Sequence, residues 1–227
     1  MDKILQRLLH TIPVLIGISL IVFSLMHLTP GDPVEIMLGE VGYVSQEDIE
    51  LMRAELGLDR PLIEQYFSFV AGILRGDWGT SLRARVSVKA LILERLPATI
   101  ELAFASAMIA LVFGLSLGVF TALKPRSFLT GVVMTLSLVG VSLPTFLIGI
   151  GLIYIFAVEL QWLPSFGRGQ VVDLGWWKTG LLTESGLRSL ILPAITLSLF
   201  QLTLIMRLVR AEMLEVLRQD YIKFARA

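Results

Sequence analysis

Apolar residues in this chain come in long uncharged runs separated by short polar stretches. The first run spans about residues 8–28, the second about 99–123, the third about 130–158 and the fourth about 189–206. Each approaches or exceeds the twenty or so residues needed to cross a bilayer as a helix, so the pattern predicts four transmembrane helices. The first run follows Lys3 and Arg7 and leads into His27-Leu-Thr-Pro-Gly-Asp-Pro with no small-x-small cleavage site, which favours an uncleaved span over a secretory signal. Pro13 is expected in its opening turns, where a missing N–H matters least.

Between the first two runs, residues 29–96 read as a small external helical cap. Pro30-Gly31-Asp32-Pro33 ends the span, and Ser45-Gln-Glu-Asp48 resembles a capping box opening a helix that stops near Gly57. A second helix starts at Asp59-Arg-Pro61 and stops at Gly76, and a third is expected over about 87–95. The second span repeats a small residue every four positions: Ser106, Ala110, Gly114, Gly118 and Ala122. Lipid gives apolar helices no hydrophobic reason to associate, so such a stripe predicts close packing on another helix.

The third run is long for a simple crossing, and Gly140, Pro144, Gly149 and Gly151 mark where it would tilt or break. Gly140, Pro144 and, on the fourth span, Gln201 are candidate path-lining positions; a proline kink made only for packing fits Pro144 equally well. The other polar groups of the fourth span are expected to bond to facing helices. Residues 159–187 form an external loop whose Trp162, Trp176 and Trp177 suit the interface belt. After Met206, residues 207–227 place Met213, Leu217, Tyr221 and Phe224 on one helical face, with Glu212, Glu215, Arg218, Gln219, Lys223 and Arg226 elsewhere. Such a helix can lie in the headgroups or fill a groove on a soluble partner.

Composition agrees with an all-α membrane protein: of 227 residues, 55% are hydrophobic and 17% charged. Zero net charge gives no basic surface for nucleic acid, and the absence of cysteine removes thiolate ligands and nucleophiles. Lys3, Arg7, Lys124, Arg126, Arg207, Arg210, Arg218, Lys223 and Arg226 cluster in the short stretches that the positive-inside rule then places in the cytoplasm, along with both termini. No metal-spaced cluster or phosphate-cradling loop appears, so no metal, cofactor or catalytic residue is assigned to this chain. Gly114-Leu-Ser116-Leu-Gly118 has the form of a nucleophile elbow, but it sits in a span, and the only histidines, His10 and His27, lie on another. Glu101 is expected in the first turn of the second span, wetted by headgroups and favoured by the helix dipole.

Four stretches carry a family resemblance. LTPGDP at 28–33, LGLDRPLIEQY at 56–66, GDWGTSL at 76–82 and MLEVLRQDYIKFARA at 213–227 are similar, in order and spacing, to the dipeptide, oligopeptide, nickel and glutathione branch of ABC importer permeases. The resemblance implies a bacterial-type cytoplasmic membrane protein whose coupling helix docks into an ATP-hydrolysing subunit. It carries that role onto Glu212, Met213, Leu217, Asp220, Tyr221, Lys223, Phe224, Ala225 and Arg226. The implied partners are a second homologous permease subunit, two ATP-binding subunits holding ATP and Mg, an external solute-binding protein and the lipid bilayer. In that family the last motif continues with lysine and glycine and two further spans follow, making six. Ending at Ala227, the chain is expected to be a partial form of such a permease, the alternative being a non-transporting scaffold or remnant.

Overall fold

The computed structural model describes residues 2–28, 34, 45–81, 84, 86–219 and 224. Its elements are α1 (Asp2–Leu28), α2 (Gln46–Glu55), α3 (Leu62–Leu74), α4 (Val88–Leu123), α5 (Phe128–Ser142), α6 (Thr145–Ile153), a π-helical turn (Tyr154–Glu159), β1 (Val172–Asp173), β2 (Lys178–Thr179) and α7 (Glu184–Val216). Among the described residues three helices are long and apolar enough to cross a membrane, within Leu5–Leu28, Val88–Leu123 and Glu184–Val216; α5 and α6, bent at 108°, make a fourth where the pair is one broken span. The molecule is an all-α membrane protein with three to four spans. By contacts it divides into two units, 1–93 and 94–227.

In the first unit, α1 starts at Asp2, so Pro13 lies inside the helix rather than in its opening turns. The two short helices after it end in the same way. Gly57 and Gly76 both take a positive φ, 67° and 82°. At the first end, Gly57 N–H donates to Ala54 O and Leu58 N–H to Arg53 O; at the second, Gly76 N–H donates to Ile73 O and Asp77 N–H to Gly72 O. These paired bonds satisfy carbonyls that a helix end would otherwise leave orphaned, and only glycine takes that backbone without strain. The chain then passes through an isolated bridge, Thr80 to Ser87, into α4. The separate helix expected over 87–95 is instead the first part of α4, which runs continuously through Pro97 to Leu123. A proline deletes one N–H, and the remaining bonds on either side carry the helix across it.

In the second unit, α4 and α7 are the two long members. The turn 124–127 is closed by Ser127 N–H to Lys124 O, and the Thr130 hydroxyl donates to the same carbonyl. The third span breaks where Leu143 becomes extended, at φ −88° and ψ 137°, immediately before Pro144. The proline ring disfavours helical backbone in the residue before it, and α5 and α6 meet there at 108°. After the π-helical turn, Gln161 adopts φ 52° and Trp162 N–H returns to Phe156 O. β1 and β2 form a two-residue antiparallel ladder, Val172 with Thr179 and Asp173 with Lys178. The loop ends at Thr183, whose hydroxyl caps α7 by accepting Gly186 N–H at 3.1 Å.

Candidate functional site

The seam between α4 and α7 is built from absent side chains. Ser106, Ala110, Gly114, Gly118 and Ala122 are all buried. A methyl placed on Gly114 would stand 2.9 Å from Ile205 Cγ2 and 3.2 Å from Leu202 O; one on Gly118 would stand 2.7 Å from Val209 Cβ and 3.0 Å from Met206 O. The two carbon distances are shorter than carbon contacts allow and the two to carbonyl oxygen are tight, so a side chain at either glycine would push α7 away. Arg210 fastens one end of the seam, donating from Nη1 to Thr121 O at 2.6 Å.

The hydroxyls around this seam bond within their own helices, contrary to the expectation that they reach across. Thr121 donates to Gly118 O, Thr196 to Leu192 O and Ser198 to Ile195 O. An α-helical carbonyl one turn back is always within reach of a serine or threonine, so no partner helix is needed. Their methyl and hydroxyl faces instead receive glycines. Gly140 of α5 meets Thr203 Oγ1 and Gly149 of α6 meets Thr196 Cγ2, so both limbs of the broken span rest on α7. Of the candidate path-lining residues, Gly140 is half-buried against α7, while Pro144 and Gln201 are exposed on different helices. Ser116 is helical and donates to Val112 O, so the elbow motif has no elbow.

Glu101 requires a correction. It lies well inside α4, which begins at Val88, and is only 6% exposed. Its Oε2 accepts Arg168 Nη2 at 3.0 Å and Gly180 N–H at 3.3 Å, and its Oε1 accepts Trp177 Nε1 at 3.2 Å. The same Arg168 nitrogen also donates to Lys178 O. A carboxylate taken out of water must be paired and hydrogen-bonded, and here the loop that carries the β1–β2 hairpin supplies the donors, Arg168 from before β1, Trp177 from between the strands and Gly180 from after β2. The Trp177 N–H is thus bonded to this carboxylate, whereas Trp162 and Trp176 are exposed. Partners 67 to 79 residues away carry no local signal, and the sole hint was an acid inside an apolar run.

At the opposite end, α7 continues past Met206 without interruption to Val216. Glu212 and Met213 thus belong to the same helix as the fourth span, and Leu217 is its C-terminal cap, with its N–H on Met213 O. α7 ends at Val216, and residues 217–219 are turn and bend; the rest of the expected amphipathic face, at Tyr221, lies outside the described residues, and Phe224 is 86% exposed. Asp220, Tyr221, Lys223, Ala225 and Arg226 lie outside the described residues. Ala211, Leu214, Glu215, Arg218 and Gln219 line a shallow surface groove on this end.

Known proteins place this arrangement. Residues 114–227 match the model of the binding-protein-dependent transport system inner membrane component, and residues 1–103 match that family's N-terminal membrane component. The chain is 42% identical to the di/tripeptide transport system permease protein DppB of Pseudomonas aeruginosa, over 99% of this chain and 70% of the relative. It is 38% identical to the dipeptide transport system permease protein DppB of Alkalihalophilus pseudofirmus (98% and 70%) and 36% identical to that of Escherichia coli (99% and 70%). The spans, the glycine seam and these matches lead to one assignment: the chain belongs to the binding-protein-dependent transport permeases, multi-pass inner-membrane subunits of importers that work with a solute-binding protein and ATPases.

Proposed function

We propose that this chain is one of two homologous permease subunits that pass small peptides into the cytoplasm, driven by two ATP-binding subunits on the cytoplasmic face. Peptide substrates are what the relatives' names specify, as dipeptide and di/tripeptide permeases. ATP and Mg are assigned to the partner subunits, and this chain is assigned transmission and passage rather than chemistry. Both termini are placed in the cytoplasm, with the β1–β2 hairpin and the α2–α3 segment outside.

The observation that carries the proposal is the continuity of α7. Its 33 residues make a rod of about 50 Å, against a hydrocarbon core of about 30 Å. The coupling residues Glu212 and Met213 are turns of this rod, so movement of a partner ATPase at Leu217 moves the fourth span as a body. Both limbs of the broken third span rest on the same rod and are displaced with it, which is the packed-helix shear by which a path opens on alternate sides. Met213 and Leu217 supply the apolar seat in this docking, and Glu212 with the charged residues beyond it sets the register.

Leu217→Asp puts a charge into that seat without touching a span. In the reconstituted transporter, peptide uptake is expected to fall at least tenfold while the subunit stays membrane-inserted and ATP hydrolysis loses its dependence on the binding protein. Uptake at the unmodified rate would remove the docking role of this residue.

A further inference from the structure

We propose that α3, Leu62–Leu74, lies in the bilayer rather than in the water beyond it, with its Ile63–Phe67–Leu74 face sunk into the acyl chains at the Leu28 end of the first span. The depth of α3 is set by what it holds on α1. Tyr66 OH lies 2.8 Å from Ser19 Oγ, and Gln65 Oε1 lies 3.1 Å from His27 Nε2. Phe23, midway between those two α1 residues, packs edge-on against Tyr66, with ring centroids 5.5 Å apart, and lies tilted on His27 at 4.3 Å. Phe23 is five residues from the end of α1, so α3 sits roughly 7 Å inside the apolar span at 1.5 Å per residue. That is the depth of an interfacial helix, about 5–10 Å into the headgroup and acyl boundary. At 13 residues, about 20 Å, α3 is too short to cross.

The faces of α3 are ordered for this position. Ile63, Phe67 and Leu74 fall at steps of four and seven, on one side, and are 72%, 64% and 83% exposed. Glu64, Ser68 and Arg75 follow the same steps one residue later, about 100° round the helix, and are exposed too. Tyr66 occupies a third side, against α1. On α1 itself, Ile21 and Val22 are exposed as well, 61% and 60%, as side chains that a membrane span presents to lipid. The helix also needs little water at its ends. Gln65 Nε2 donates to Leu58 O and Arg60 O beside its start, and the paired bonds at Gly76 and Asp77 close its finish. The Ser19 hydroxyl, deep in the span, is satisfied by Ile16 O and Tyr66, as hydrocarbon requires.

The chain has no cysteine, so single cysteines can be introduced into it and labelled without a background from this subunit. Ile63→Cys, Phe67→Cys and Ser68→Cys, each carrying a nitroxide in the complete transporter reconstituted into phosphatidylethanolamine and phosphatidylglycerol vesicles, report collisions with dissolved oxygen and with a water-soluble nickel chelate. The proposal expects oxygen to exceed nickel at positions 63 and 67 and the order to reverse at 68. Nickel exceeding oxygen at 63 and 67 would place α3 in water, and exclusion of both quenchers there would mean a protein partner covers it; either result overturns the proposal. Should Phe67→Cys fail to assemble, Ile63→Cys reads the same face.

Discussion

Two proline-containing spans stand side by side in the second unit, and they behave oppositely. α7 runs through Pro193 as one helix of 33 residues, while the third span turns by 108° at Pro144. The residue type is the same, so the ring alone does not decide. Pro193 is flanked by buried Leu192 and Ala194, and the helix on its far side is braced through Thr196 and Thr203 by the glycines of α6 and α5. Leu143 and Pro144 are exposed rather than buried, so less packing resists the extended backbone that a residue before proline prefers. A proline offers a break, and packing accepts or refuses it.

The largest way to break this contrast is to force α4 off α7. Gly118→Val places a branched side chain against Val209 and Met206 O, and is expected to destabilise the unit by about 3 kcal/mol, the upper range for an overpacked core. A lowered unfolding midpoint in detergent, with the Arg210 to Thr121 end freed to protease, would register it. Pro193→Ala should act the other way. It restores one N–H bond to a helix already continuous, and a gain of about 1 kcal/mol in the same measurement is expected, below the roughly 3 kcal/mol an interior proline can cost because the helix has already adapted. Pro144→Ala should change least. Leu143 becomes free to turn helical, but straightening would lift either Gly140 or Gly149 off α7, so the bend is expected to persist with a stability change under about 1 kcal/mol. Spin-label distances between residues 136 and 150 would read this directly; a straightened span would give the decision back to the ring.

Much of this architecture is visible in the sequence because it rests on local chemistry. Gly57 and Gly76 announce helix ends because only a residue without Cβ takes their backbone, and Pro144 marks where the third span can break, although packing decides whether it does. The four apolar runs are legible from length and hydropathy, and the structure gives three of them as single long helices and the third run as a bent pair. What is not legible depends on residues distant in the chain. The sequence displays the small residues from Ser106 to Ala122 but not that Ile205 and Val209 stand over two of them. Glu101 looks like a wetted helix-start residue until Arg168, Trp177 and Gly180 are brought round it. The change from apolar to polar at Met206 marks where lipid ends, and it is no sign that the helix ends, since α7 continues for ten residues more. Backbone bonding continues regardless of what surrounds the side chains.

The buried carboxylate of Glu101 has a consequence for the outer surface. By gripping the hairpin at Arg168, Trp177 and Gly180, it makes the loop a rigid fitting on α4, and Thr183 bolts the same loop to α7 through Gln170 O and Gly186 N. The tip aromatics Phe166 and Trp176, both fully in the open, are therefore carried on a bracket with two anchor points rather than on a tether. A tilt of either helix therefore displaces the bracket through its bonds to Glu101 and Thr183, and a load on the bracket is shared between α4 and α7.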